Sequence, residues 1–168
     1  VKNDSKILDI GTGTGKQAFA FAKKGCDVVG IDLSGDMIKI ANRKNNCTSV
    51  RFEVADATNL PFKNKSFDVS CASFVLHDMP LMIREKVLKE MVRVTRPNGV
   101  IVIVEYAFPK NKIGRFLIYH FVKLYESKYY SEFIKSDFEA LLRKSSIKLQ
   151  DGLSVMFGAG RILKGLRV

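Results

Sequence analysis

A chain of 168 residues with 46% hydrophobic residues and a formal net charge of +11 is one domain's worth of sequence, long enough to bury a core. No lipidation motif or apolar run of bilayer-spanning length occurs, and the longest apolar stretch, Val100–Val104, is strand-sized. Cys26, Cys47 and Cys71 are scattered and lack C-x-x-C spacing, which argues against a disulfide framework or zinc site and for a reducing, cytoplasmic setting. The chain begins at Val1 with no signal peptide, and an apolar strand follows within a few residues, so a native N-terminal segment is expected to be missing ahead of it.

The first strand, Ile7–Ile10, runs straight into Gly11-Thr12-Gly13-Thr14-Gly15 and then a helix over Lys16–Lys24. Glycines there permit a tight turn and let backbone N–H groups approach a ligand. A Walker A loop would need Gly and Ser/Thr where Ile10 and Gln17 stand, and the nicotinamide fingerprint would need a small residue at Lys16. The second strand, Val28–Ile31, ends at Asp32, about twenty residues past the glycines, where an acid accepts from both ribose hydroxyls of an adenosine ligand. After a helix over Asp36–Lys44, the third strand, Val50–Val54, leads to Asp56 and Ala57. Their carboxylate and N–H suit the adenine edge, with a plain helix cap as the other reading of Asp56.

The fourth strand, Phe67–Ala72, precedes His77, which is either a general base near the transferred group or a structural residue of the wall. Cys71 lies inside that strand and reads as a buried small hydrophobe. In the helix over Leu81–Thr95, Ile83, Val87, Leu88, Met91 and Val94 share a stripe, and Pro97-Asn98-Gly99 supplies a stop before the fifth strand, Val100–Val104. Strands alternating with helices imply a parallel sheet with right-handed crossovers. Residues 111–135 are rich in aromatic and basic residues, and a helix over Asp137–Lys144 and a closing pair of strands, Ile147–Gln150 and Arg161–Val168, follow.

Asp9–Gly15, Gly30-Ile-Asp-Leu-Ser34 with Met37, Ala55-Asp-Ala57 with Leu60-Pro-Phe62, Phe67-Asp-Val69 and Arg93-Val-Thr-Arg-Pro-Asn-Gly99 stand in the order and spacing of one superfamily. The chain resembles the class I S-adenosylmethionine-dependent methyltransferases, and within them the ubiquinone and menaquinone C-methyltransferase branch. The resemblance covers residues 5–106 well and 107–168 in outline; Asn98 replaces a more usual glycine. It implies a Rossmann-like α/β fold, a mostly parallel seven-stranded sheet with an antiparallel edge strand and helices on both faces. Residues 1–168 would form one domain, with 1–110 the cofactor half and 111–168 the acceptor half. It further implies that Asp9 orders the loop and that Gly11, Thr12, Gly13 and Gly15 pass the methionine moiety. Asp32 would hold the ribose, Leu33 and Met37 would pack beside the adenosine, Asp56 and Ala57 would read the adenine, and Ala72 and Ser73 would face the amino-acid part of S-adenosyl-L-methionine.

Methyl transfer from a sulfonium requires positioning and no metal or nucleophile, so no metal site is expected. The segment from Ile113 to Tyr125 is apolar nearly all round, and is either a helix buried against its own domain or a lid. A lid would bring Phe116, Tyr119, His120, Tyr129 and Tyr130, with Phe74 and Tyr106, around a small apolar, lipid- or quinone-like acceptor. Residues 111–168 hold 11 Lys/Arg against 5 Asp/Glu, and Lys112, Arg115 and Lys123 could rest on an anionic membrane surface. Specific nucleic-acid binding is not expected. Alternatives are a cofactor-binding module without catalysis, or a methyltransferase acting on RNA or protein.

Overall fold

The computed structural model describes residues 2–107 and 129–168. Five parallel strands lie first in the chain: β1 (Lys6–Ile10), β2 (Asp27–Asp32), β3 (Val50–Val54), β4 (Phe67–Ser73) and β5 (Thr95–Tyr106). Between them run α1 (Lys16–Ala22), α2 (Gly35–Lys44) and α3 (Leu81–Val94), the last preceded by a 3₁₀ turn at Leu76–Asp78. The later part adds α4 (Tyr130–Lys135), α5 (Phe138–Lys144), β6 (Ile147–Val155) and β7 (Gly160–Arg167). The sheet order is β3-β2-β1-β4-β5-β7-β6. The antiparallel edge is therefore a hairpin, with β7 against β5 and β6 outermost.

Both faces of the sheet are covered, which is why the parallel strands read as continuous apolar runs. Ile7 packs with Val28, Val69, Ala18 of α1 and Ile38 and Ala41 of α2. Leu8 and Ile10 face the other way, toward Val87, Leu88, Met91 and Val94 of α3 and Leu142 of α5. Truncating a fully buried residue such as Leu88 to Ala would destabilise by roughly 2–5 kcal/mol.

Several boundaries differ from those expected. α3 stops at Val94, and β5 begins at the next residue because Thr95 is already extended and pairs with Phe67. The Thr95 hydroxyl caps this junction, donating to the Met91 carbonyl at 2.7 Å while its oxygen lies 2.7 Å from Ser70 Oγ. The Pro97-Asn98-Gly99 turn is thus an excursion within β5, between the pairs Phe67–Thr95 and Val69–Val100. β6 is longer than the apolar pattern implied, since ladder pairing with β7 carries it through the polar residues Asp151 and Ser154. α4 falls at the end of the aromatic and basic stretch, beyond the Ile113–Tyr125 segment for which a helix is one reading.

Candidate functional site

In this strand order β2 and β4 leave β1 on opposite sides, so the loops at the carboxyl ends of β1, β2 and β4 open a crevice at a topological switch point. The loop after β1 is organised by Asp9, whose carboxylate is buried beneath it. Asp9 Oδ2 accepts from Thr12 Oγ1 at 2.7 Å, and Oδ1 accepts from Cys71 Sγ at 3.4 Å. Burial pushes the Asp9 carboxyl up to about 6, those two hydrogen bonds pull it back down, and the Asp32 charge adds to the rise. Burial and the Asp9 carboxyl hold the Cys71 thiol well above the usual thiol range, which removes thiolate character from it.

Asp32 closes the loop from the other side. Its Oδ2 accepts from the Gly13 N–H at 2.9 Å and its Oδ1 from the Ser34 N–H at 2.9 Å. Each carboxylate oxygen retains acceptor capacity for a ligand hydroxyl. Gly11 has φ 65°, and a Cβ there would stand 2.7 Å from Val75 Cγ2, so the absence of a side chain lets the loop after β4 lie directly against it. Gly15 faces the protein instead: it starts α1 with φ 82°, and a Cβ would meet the Phe52 ring at 2.6 Å.

Two cavities meet at Gly11. One, of about 220 Å³, is walled by Ile10, Ile31, Asp32, Leu33, Ala55, Asp56, Ala57, Val75 and Met79. Leu33 is 75% exposed at its rim. Asp56 Oδ1 accepts from the Thr58 N–H at 2.8 Å, so its carboxylate forms an Asx turn within the loop. The second, wider cavity of about 460 Å³ is bounded by Asp9, Gly11, Thr12, Lys16, Gln17, Ser73 and Phe74. Met37, on the first turn of α2, and Ala72, buried in β4, border neither cavity. Larger hollows lie at the opposite ends of β1–β3, beside Lys6, Asp27 and Arg51, and beside the β6–β7 tip, away from the glycine loop.

Beyond Phe74 the site becomes aromatic. The Tyr106 ring lies 5.0 Å from Phe74, 4.8 Å from His77 and 5.6 Å from Tyr130, centroid to centroid. His77 is only 2% exposed, borders neither cavity, and has Nδ1 2.8 Å from Glu105 Oε2. Tyr129 is half-buried at the start of α4. Phe116, Tyr119 and His120 lie outside the described residues, as do Lys112, Arg115 and Lys123. Among the described residues, no group of three or more His, Cys, Asp or Glu is arranged to hold a metal.

Three charged residues to which the sequence pattern assigns no role support this geometry. Glu105 is fully buried at the end of β5 and accepts from the Val75 and Leu76 N–H groups. Glu90 and Arg93 of α3 staple the loop that carries Asp56. Glu90 Oε2 accepts from the Leu60 N–H at 2.7 Å, and Arg93 donates to the carbonyls of Phe62 and Leu60 at 2.7 and 2.9 Å. The hydrogen bond from Arg93 holds the Glu90 carboxyl below its ordinary range. Acids and bases on a helix face usually read as solvated, and nothing in their local spacing signals backbone partners some thirty residues away.

A glycine loop between a buried strand and a helix, with acids at the tips of the next two strands, is the arrangement of a Rossmann-like sheet of the class I methyltransferase type. A family model described as a methyltransferase domain matches residues 8–103, more than half of the chain, and the chain belongs to that family. Over 109 residues it is 42% identical to the demethylmenaquinone methyltransferase of Paenarthrobacter aurescens (strain TC1), covering 65% of this chain and 42% of that protein. It is 34% identical over 125 residues to the ubiquinone/menaquinone biosynthesis C-methyltransferase UbiE of Geotalea daltonii (strain DSM 22248 / JCM 15807 / FRC-32), covering 70% and 52%. The chain thus spans about half, or less, of the length of these relatives. A SAM-dependent methyltransferase from Methanosarcina mazei shares the fold, with a TM-score of 0.77 at 24% identity over 100% of this chain and 94% of that one.

The cofactor of this class is S-adenosylmethionine, and the residues present fit it. The space beside Gly13 is empty to 4 Å, and Asp32 lines the narrower cavity. Ser73 Oγ, at the wider cavity, is buried without a hydrogen-bond partner among the described residues, which suits a polar ligand group there.

Proposed function

We propose that this chain is the catalytic domain of an S-adenosylmethionine-dependent methyltransferase acting on a small, largely apolar acceptor of the quinone or lipid type. The observation that carries the reading is the junction of the two cavities at Gly11, with one end rimmed by Asp32 and Asp56 and the other opening at Ser73 and Phe74 toward an aromatic wall. When bound, the cofactor supplies an activated methyl on a sulfonium, so that alignment with the acceptor is the main requirement.

In this arrangement Asp32 and Gly13 orient the ribose end, Asp56 and Ala57 hold the adenine edge, and Ser73 takes a polar group of the amino-acid end. Phe74 and Tyr106 offer the flat apolar contact that an aromatic acceptor needs, with Tyr130 buried behind Tyr106. The similarity to proteins named for quinone methylation supports that acceptor class. Burial of His77 with Nδ1 against Glu105 favours a wall role for it over proton transfer. The net charge of +11 suits a weak approach to an anionic membrane surface from which a lipid-like acceptor is drawn.

Methyl-labelled cofactor, purified protein and separated lipid, RNA and protein fractions of whole cells test the proposal together. Label is expected in the lipid fraction. Label confined to RNA or protein would overturn the acceptor, and tight cofactor binding with no transfer into any fraction would favour a module without its own catalysis.

A further inference from the structure

The turn after β4 contains a conformation that its own sequence does not favour. Phe74 has φ 52°, in the left-handed region that residues with a Cβ avoid outside tight local constraint. Its side chain borders the wider cavity, and the next residue, Val75, lies against Gly11 and walls the narrower one. The backbone of residues 74 and 75 therefore shapes both cavities at the point where they join.

Glu105 is the group that holds this turn. One of its oxygens, Oε1, accepts from the Val75 N–H at 3.0 Å and the Leu76 N–H at 2.7 Å, and the other meets His77 Nδ1 at 2.8 Å. The Phe74 N–H donates to the Val104 carbonyl at 2.8 Å, so the turn is bonded to the last residues of β5 at four consecutive positions. The carboxylate is fully buried, and the guanidinium groups of Arg84 and Arg161 interact with its charge.

We propose that Glu105 is a positioning residue for methyl transfer: its carboxylate enforces the left-handed turn at Phe74 and thereby sets Val75 over Gly11 and Phe74 at the wider cavity. It acts through the backbone and touches neither cofactor nor acceptor. The inference rests on the cofactor occupying the crevice as proposed above.

The test uses rescue. In the full chain, Glu105→Gln keeps the side chain's shape but turns one acceptor oxygen into a donor, and is expected to weaken S-adenosylmethionine binding roughly tenfold in calorimetry. Phe74→Gly adopts φ 52° without strain, so Phe74→Gly with Glu105→Gln is expected to bind the cofactor several-fold better than Glu105→Gln alone. A purely structural loss would instead lower Tm and leave the cofactor affinity of the folded Glu105→Gln chain unchanged. Wild-type affinity in Glu105→Gln, or a double variant no better than the single one, would overturn the proposal. Should Glu105→Gln fail to fold, Phe74→Val sets a β-branched residue at the same turn with Glu105 intact. Weakened cofactor binding is then expected, and unchanged binding would overturn the inference. A wild-type chain that binds no S-adenosylmethionine would instead sink the cofactor reading beneath it.

Discussion

At the scale of single residues, the two acids at the strand tips differ in what they hold. Asp32 accepts two backbone N–H groups, one of them from the glycine loop, whereas Asp56 is exposed and closes a local Asx turn. Asp32→Ala should lose two ribose contacts and also release Gly13, while Asp56→Ala should lose one adenine contact. At roughly 1.5–3 kcal/mol for each charge-assisted bond, Asp32→Ala is expected to weaken the cofactor far more. Calorimetry on both folded variants checks this, and equal or reversed losses would mean the adenosine lies elsewhere. Asp9 carries a different signature, because burial raises its carboxyl to about 6 in the folded chain. The folded state therefore holds a proton that the unfolded chain has released between its ordinary value near 3.8 and about 6, so stability falls as pH rises through that window. The full effect is about 3 kcal/mol. Asp9→Asn removes the titration, so urea unfolding at pH 4 and pH 7 should show the variant gaining on wild type at the higher pH. A constant difference would show that Asp9 titrates normally.

At the scale of elements, stability and site geometry share the same contacts. Arg93 of α3 donates to the Leu60 and Phe62 carbonyls and pairs with Glu90 at 2.7 Å, tying the loop after β3 to the core. Arg93→Ala should cost about 1–3 kcal/mol by leaving these acceptors and Glu90 underused, and should weaken cofactor binding as the Asp56 loop loosens. Thermal unfolding with and without cofactor reads both effects; an unchanged Tm in both states would contradict the staple. The strands that build the crevice were legible because parallel strands covered on both faces are unbroken β-branched runs, as in Val100–Val104. The glycine loop, Asp32 and Asp56 were legible because backbone approach and acid placement need particular residues at particular spacings. Glu105, Glu90 and Arg93 were not, since each acts on backbone groups brought near only by the folded sheet. The extents of β5 and β6 were likewise hidden, because ladder pairing, of β5 with β4 and β7 and of β6 with β7, sets them and apolar pattern does not.

At the scale of the whole molecule, the sheet order β3-β2-β1-β4-β5-β7-β6 divides the work. The β1–β3 side carries the glycine loop, Asp32 and Asp56, and the β4–β5 side carries the aromatic wall reached by α4. Among the described residues no helix is long and apolar enough to cross a membrane. The family match covers residues 8–103, the part in which the glycine loop, Asp32 and Asp56 lie. Everything proposed about transfer depends on one ligand occupying that part. Calorimetric titration of the chain with S-adenosylmethionine tests this most directly. One-to-one binding is expected, with competition by the demethylated product and none by NAD or ATP. Binding of NAD in its place, or no binding of S-adenosylmethionine by a folded chain, would contradict the account.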